Sequence, residues 1–463
     1  MSKSHALSNV IPRALRFIFV GLEIRRWRLF ANPRLIPPLP VRAKRFLTEL
    51  FVFNLGISVS LIRIYGFAPS GSPEKPERMR RSFCKEFPYM IFSFVSQVFF
   101  SLFHPRGFVY PAGCVQRWRA AVMADVRVSV YSGALARNYE RMRRLFGNCE
   151  IAAVVKADAY GLGVENVVPV LERAGCRSFF VNRRDEGVAV RRYAAGDVYV
   201  LDALSDGETL FDYEKDALIP VFSSREVLAR FPEARNIALR IDVGLNMAGI
   251  PAGDTALLET LKGRVGLLIG HLSCSEIPDC PENGRQRALF DRVASMFPFA
   301  KKSLSASYGA FLGSEYRYDM IRSGAALFGA SIMPDAEPAA ALSARVIRLE
   351  TVPAGSFIGY GVEERLESEA LVAVVPVGAG DGIVHKRGCS VVFNGVKLPV
   401  LGMPTTNYLA FDATGVGGEI RVGDTVELFG RDYPPDSLGG DAGTGAGADV
   451  LIRLNPRLPK VLL

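Results

Sequence analysis

Histidine is scarce in this chain. Four occur among 463 residues, which leaves little material for a His-rich metal site. Cysteine does not fill the gap: Cys84, Cys114, Cys149, Cys176, Cys274, Cys280 and Cys389 are odd in number, scattered, and never spaced C-x-x-C. That pattern argues against a zinc ribbon and against a disulfide framework, and points to a reducing, cytoplasmic compartment. Long apolar runs are also missing. The longest, "FPYMIFSFVSQVFFSLF" from Phe87 to Phe103, is about 17 uncharged residues, at the short limit for crossing a bilayer. No internal repeat is visible, and no small-residue cleavage site follows an apolar core near the start.

What is present is globular in composition, with 49% hydrophobic and 22% charged residues. The length is too great for one ordinary core and suits two domains plus an extension. The net charge of +9 is unevenly spread. Residues 1–125 carry roughly 19 Lys/Arg against about 6 Asp/Glu, so the remainder is mildly acidic. The basic character therefore belongs to the extension and gives no reason to expect a nucleic-acid partner for the body. Residues 1–125 are rich in Phe, Arg and Pro, as in "PRLIPPLPVRAKRF". A membrane-associated extension, a poorly structured arm and a stretch absent from the mature protein are the three readings of it. Neither the Phe87–Phe103 run nor the shorter "LFVFNLGISVSLI" is clearly long enough to favour the membrane.

From Val126 the pattern becomes regular. "VRVSVY" alternates as a strand, and "SGALARNYERMRRLF" has helical spacing behind a serine cap. "EIAAVVKA" reads as a buried strand ending in a lysine, "VENVVPVLERAG" as a helix stopped by Gly175, and "SFFV" as the next strand. The alternation runs on through "ALIPVFS", "IALRIDVG", "GLLIGHLS" and "DMIRSGAALFG", with helices such as "RQRALFDRVASMF" between. Strands and helices alternating over more than 200 residues predict an α/β fold, an eight-stranded TIM-type barrel over 126–345. Beyond about residue 345 the helical spacing stops. "ARVIRLETV", "ALVAVVPVG", "CSVVFNGVKLPVLG", "DTVELFG" and "DVLIRL" predict an all-β domain over 346–463. "SLGGDAGTGAGAD" lacks the lysine and the strand-to-helix setting of a phosphate loop and reads as a flexible connection.

In a parallel barrel the functional groups sit at the C-terminal ends of strands. Lys156 is there, directly after "EIAAVV". A lysine facing a pocket can be desolvated and serve as an imine-forming nucleophile. The competing reading is a lysine whose stem snorkels off a strand end.

The stretch "VVKADAYGLG" closely resembles the lysine motif of the alanine racemase family, fold-type III pyridoxal-phosphate (PLP) enzymes with a barrel and a C-terminal β domain. The resemblance runs from about Val126 to Arg457. It implies that Lys156 holds the cofactor and then exchanges a proton with the substrate α-carbon on one face. Tyr160 would reach the phosphate. "VNRRDEGVAVRR" is similar to the family stretch after the lysine helix. "IGHLSCSEIPDCPENGRQ" would supply His271, hydrogen-bonded to Arg322 of "YDMIRSGAALFG", and Arg322 would face the pyridine nitrogen and leave it unprotonated. Taken alone, Arg322 also fits a structural ion pair. Ser307 in "SLSASYGAF" corresponds to a phosphate-binding serine, and the N–H groups of Gly324 and Ala325 would complete an anion site at a helix N-terminus. Leu162 and Ala306 stand where the family usually has histidine and asparagine.

Other positions depart further. Racemisation needs proton exchange on both faces of the α-carbon, hence two acid–base groups. The family's second group is a tyrosine in "GYGDG" or "GYADG", supplied by the partner subunit. Here "PVGAGDG" has Ala379. The family's Met-Asp becomes Thr406-Asn407 in "GMPTTNYLAFD", at positions that help hold the substrate carboxylate. The arginine of "DTGMNRLG" becomes Met247 in "DVGLNMAG", while Arg240 replaces a lysine of many relatives.

The expectations are therefore a PLP-dependent racemase acting on a small amino acid, alanine above all, as a homodimer with shared sites. Tyr408 and Tyr360 are the candidate substitutes for the lost tyrosine, each of which also fits a packing aromatic. The alternatives are one-base chemistry on the same cofactor (transamination or retro-aldol cleavage) and a binding paralogue without catalysis.

Overall fold

A computed structural model describes residues 125–362 and 364–463. The apolar run Phe87–Phe103 and the rest of 1–124 lie outside the described residues. Within them, no helix is long and apolar enough to cross a membrane.

The strands that the alternation predicts form a barrel. β2 (Glu150–Val154), β3 (Ser178–Val181), β4 (Asp197–Val200), β5 (Ile219–Phe222), β6 (Ile237–Asp242), β8 (Val265–Ile269), β9 (Lys301–Ser303) and β10 (Met320–Ser323) pair in parallel in the order β10-β2-β3-β4-β5-β6-β8-β9. The short strand β7 (Ile250–Pro251) adds to β6. A parallel bridge between Ala306 and Arg322 brings the chain after β9 against β10 and nearly closes the ring. Helices including Ser132–Phe146, Val164–Arg173 and Pro281–Met296 lie between the strands in sequence.

Alternation along each strand separates two cores. Ala152, Phe180, Val221, Ala238, Leu267, Ile269 and Met320 form one buried cluster. Their neighbours Ile151, Ala153, Phe179, Val181 and Leu268 join the larger cluster shared with helix side chains such as Leu135, Met142, Val167 and Leu171. The first set therefore faces the barrel interior and the second faces the helices.

The C-terminal domain is β-rich, as expected, around a nine-stranded sheet. Its order is β12-β15-β18-β17-β16-β19-β11-β1-β20, built from β1 (Val126–Val130), β11 (Ala340–Arg345), β12 (Arg348–Val352), β15 (Ala370–Val375), β16 (Ser390–Phe393), β17 (Val396–Leu401), β18 (Leu409–Asp412), β19 (Thr425–Phe429) and β20 (Lys460–Leu462). A separate pair joins β13 (Phe357–Ile358) and β14 (Glu364–Arg365).

Three local expectations change. β1, read with the barrel from sequence, pairs instead with β11 and β20 of the C-terminal sheet. Ser132 caps no helix; its hydroxyl donates to the carbonyl of Leu463, 2.7 Å away, and Tyr131 occupies the cap position. "SLGGDAGTGAGADVLI" is neither a flexible link nor a strand but contains most of the helix Pro435–Ala442 and all of Gly447–Ile452. Asp436 ties them together, accepting from the Gly447 N–H at 2.7 Å and from the Ser331 N–H at 2.6 Å.

Candidate active site

Four charged or titratable side chains continue the inward-facing rows of the barrel. Lys156 follows Ala152 and Val154, Arg240 follows Ala238, His271 follows Leu267 and Ile269, and Arg322 follows Met320. Two-residue periodicity thus aims all four at the same mouth, at the C-terminal ends of β2, β6, β8 and β10.

Lys156 opens an unusual turn. Ala157, Asp158, Ala159 and Tyr160 all have φ between 53° and 55°, a left-handed run of four residues that bear Cβ atoms. Left-handed backbone costs roughly 1–2 kcal/mol per such residue, so the turn needs outside support. Glu186 gives much of it. One carboxylate oxygen accepts from the Ala157 N–H at 2.8 Å, while the other accepts from Asn182 at 2.8 Å and Arg183 at 3.1 Å. Asp158 accepts from the Val164 N–H at 3.0 Å and lies 3.6 Å from the Lys460 ammonium. Gly161, at φ +78°, packs so closely on the Leu451 carbonyl that a Cβ would come within 2.6 Å of its oxygen. Lys156 itself is exposed, so burial within this chain does not supply the desolvation expected of it.

Tyr160 points toward a backbone cradle. A Cβ on Gly324 would collide with the Tyr160 hydroxyl, and the ring rests on Phe328 with centroids 4.8 Å apart. Burial, and then Asp449, push the phenol up to about 12, so it remains a hydrogen-bond donor at neutral pH. Ser307 Oγ accepts from the N–H groups of Gly324 and Ala326, each at 3.1 Å, and lies 3.2 Å from Ser323 Oγ. The segment after β10 is a series of turns rather than a regular helix, which corrects the helix N-terminus expected there. Gly324's N–H is engaged by Ser307, so the backbone donor left for an anion is Ala325's.

Arg322 is buried and its two terminal nitrogens are spent on the fold. They reach the carbonyls of Ser303 at 2.7 Å, Gly270 at 2.5 Å and Leu304 at 3.3 Å, and also the Ser303 hydroxyl. Burial, followed by the neighbouring Arg240, lowers its pKa to about 9, which still leaves a cation at neutral pH. The expected hydrogen bond from His271 to Arg322 is not made, because these carbonyls take the guanidinium first. His271 is instead coupled to it electrostatically. Burial, then Arg322, Arg240 and Lys156, hold the imidazole down at about 3, so it is neutral at physiological pH. Arg240 makes no hydrogen bond or ion pair among the described residues; Asp242 and Asp202 act on it only through their fields.

The altered positions lie elsewhere. Asp242 accepts from the N–H groups of Gly244, Leu245 and Asn246 at 2.8, 2.9 and 3.1 Å and organises the loop that leaves Met247 83% exposed. Ala379 is exposed in the C-terminal domain, its N–H donating to the Thr405 carbonyl at 2.9 Å, and the Gly380 N–H donates to Thr406 at 2.9 Å. Thr406 and Asn407 are exposed in the same turn, which Tyr408 closes through bonds of 2.9 Å to Thr405 in both directions. Tyr360 lies on the β13–β14 loop, 75% exposed. Among the described residues no hydrogen bond or ion pair joins these groups to the barrel mouth. Glu186 and Ser303 were missed by sequence reasoning. For Glu186 a signal existed, an acidic residue in the first turn of the helix Arg184–Arg191 that follows the adjacent strand β3.

Residues 130–332 match the model of the alanine racemase N-terminal domain and 339–462 that of the C-terminal domain. The chain belongs to the alanine racemase family. It is 35% identical to a biosynthetic alanine racemase of Agrobacterium fabrum over 370 residues, 73% of this chain and 94% of that one. A catabolic alanine racemase of Mesorhizobium japonicum is 34% identical over 72% of this chain and 92% of its own length. Among solved structures, the biosynthetic alanine racemase of Pseudomonas aeruginosa superimposes with a TM-score of 0.68 at 26% identity, covering 74% of this chain and all of that one. The alanine racemase of Bartonella henselae, solved with covalently bound pyridoxal phosphate, gives 0.67 at 25% identity, covering 73% of this chain and all of that one.

The residues at this family member's barrel mouth fit such a group. An exposed lysine amine stands on one side of the mouth. On another, a protonated phenol and a backbone amide that have no hydrogen-bond partner among the described residues, together with a serine hydroxyl, suit a phosphate. Arg322, a cation at neutral pH, suits the ring nitrogen because it does not protonate it.

Proposed function

We propose that this chain is a PLP-dependent amino-acid racemase acting on alanine or a similarly small amino acid, in the cytoplasm and as a homodimer. The observation that carries the reading is the shared inward row of Lys156, Arg240, His271 and Arg322 beside the Tyr160–Ser307–Ala325 cradle. When bound, PLP would draw electron density from the substrate α-carbon and make its hydrogen acidic. Lys156 would hold the cofactor and then exchange that proton on one face. Tyr160, Ser307 and Ala325 would bind the phosphate. Arg322, fixed by three backbone carbonyls, would keep the ring nitrogen unprotonated. Arg240, the guanidinium without a hydrogen bond or ion pair among the described residues, would take the substrate carboxylate in place of the arginine lost at Met247.

The second face needs its own acid–base group, and Tyr408 supplies it in this reading. Its turn is hydrogen-bonded to Ala379 and Gly380, which favours it over Tyr360. Because these groups share no bond with the barrel mouth of their own chain, a second copy is the natural source of them. Thr406 and Asn407 would then line the substrate side of that joint site.

Ala379 itself favours a second reading. A methyl group carries no proton, so if Tyr408 does not reach the substrate the chemistry is confined to the Lys156 face, as in stereospecific exchange, transamination or retro-aldol cleavage. The testing experiment is borohydride reduction of the PLP-loaded protein followed by peptide mapping, with D- and L-alanine interconversion measured in parallel. The reading expects the cofactor on the Lys156 peptide, none in Lys156→Ala, and product from either enantiomer. Label on a different lysine, or no label, would overturn it.

A further inference from the structure

Cys274 and Cys280 lie outside the catalytic constellation and are the one pair of described cysteines brought together by the fold. The loop after His271 makes two successive tight turns. The Ile277 N–H donates to the Cys274 carbonyl at 2.9 Å, and the Cys280 N–H donates to the Ile277 carbonyl at 3.0 Å. These turns return the chain on itself, so that the two sulfurs stand 2.7 Å apart, closer than two unbonded sulfurs normally approach. Asn283, buried in the helix Pro281–Met296, holds the arrangement. Its amide donates to the carbonyls of Ile277 at 3.0 Å and Cys274 at 3.4 Å, and its oxygen accepts from the Cys274 thiol at 3.4 Å. Both cysteines are half-buried, while residues 276–279 between them are exposed and leave a route for a small reagent.

We propose that Cys274 and Cys280 form a reversible redox modification site, taking a low-molecular-weight disulfide of the glutathione class as oxidant. One cysteine thiolate attacks the small disulfide, breaking its S–S bond, releasing one small thiolate and leaving a mixed disulfide on the protein. The second cysteine then attacks the protein sulfur of that mixed disulfide and displaces the other small thiolate. Two protein thiols are oxidised, one small disulfide is reduced to two thiols, and the two cysteine protons pass to the departing thiolates. A bonded pair needs sulfurs about 2.05 Å apart, so closure asks for little movement of the loop. Such pairs in a reducing compartment are transient and sensing rather than structural.

The test uses the full chain equilibrated in buffers of graded reduced-to-oxidised glutathione ratio. It is quenched by alkylation under denaturing conditions and mapped by peptide mass. The expected result is a peptide pair crosslinked between Cys274 and Cys280, lighter by two hydrogens, that disappears on reduction. Cys280→Ser is expected to stop at the mixed disulfide on Cys274, and Cys149→Ser to leave the crosslink intact. Full alkylation of both thiols at every ratio, or a Cys274 crosslink to any other cysteine, would overturn the proposal. Because the readout is on the wild-type chain and does not involve alanine turnover, it stands apart from the racemase reading.

Discussion

Tyr408→Phe removes one phenolic hydroxyl from the turn Thr405–Tyr408 and leaves the ring. The side chain is 51% exposed, and its hydroxyl makes no hydrogen bond among the described residues, so stability should change by no more than about 0.5 kcal/mol. Catalysis should change far more. An acid–base group typically contributes ~10²–10⁴-fold, which is about 3–5 kcal/mol of barrier. The separation between these two magnitudes makes the variant informative. Interconversion of D- and L-alanine should fall by that factor in both directions, while deuterium exchange on the Lys156 face persists. Ala379 is exposed, so Ala379→Tyr has room, and the double variant Tyr408→Phe/Ala379→Tyr should recover part of the lost rate. The assays are polarimetric racemisation and a urea titration on the same preparations. A folded Tyr408→Phe protein racemising at the wild-type rate would refute the assignment of Tyr408.

His385 makes stability depend on pH. It is buried, Nε2 is 2.9 Å from the Leu428 carbonyl, Nδ1 has no partner among the described residues, and burial lowers its pKa from 6.5 to about 4. The unfolded chain therefore binds the extra proton first, and stability is lost as pH falls from 6.5 to about 4, by roughly 3 kcal/mol in total. His385→Asn should flatten that part of a denaturation profile; an unchanged slope would count against it. His271 should add to the acid sensitivity in the same direction, since its pKa is also held below the ordinary value. Gly382→Ala should destabilise by about 2 kcal/mol or more in urea, because φ is +83° and a Cβ would overlap the Arg453 carbonyl. A neutral result would contradict the close approach of Gly382 to the Arg453 carbonyl.

Much of the barrel was legible because alternation and helical spacing are local signals. The same signal places Lys156 at a strand end, whereas His271 and Arg322 are implied only by the family resemblance; it is the fold that brings all three, and Arg240 with them, to one mouth. What sequence hid depends on distant partners. β1 pairs with β11 and β20, more than 200 residues away, and nothing in "VRVSVY" states which sheet it joins. The glycines of "PDSLGGDA" disfavour a helix by propensity, yet tertiary contact overrides them. Gly439 sits so close to the Gly445 carbonyl that a Cβ would approach its oxygen to 2.5 Å, so the composition read as flexibility serves close packing. Likewise the His271–Arg322 bond gave way because Gly270, Ser303 and Leu304 present carbonyls that only the folded barrel assembles.

The most direct measurement is the fate of the α-hydrogen when the PLP-loaded protein is incubated with L-alanine in deuterium oxide, with the enantiomers separated before mass analysis. The account predicts deuterium at the α-carbon of both L- and D-alanine, lost in Lys156→Ala. Label confined to L-alanine, with no D-alanine formed, would contradict it and leave Lys156 working alone on one face.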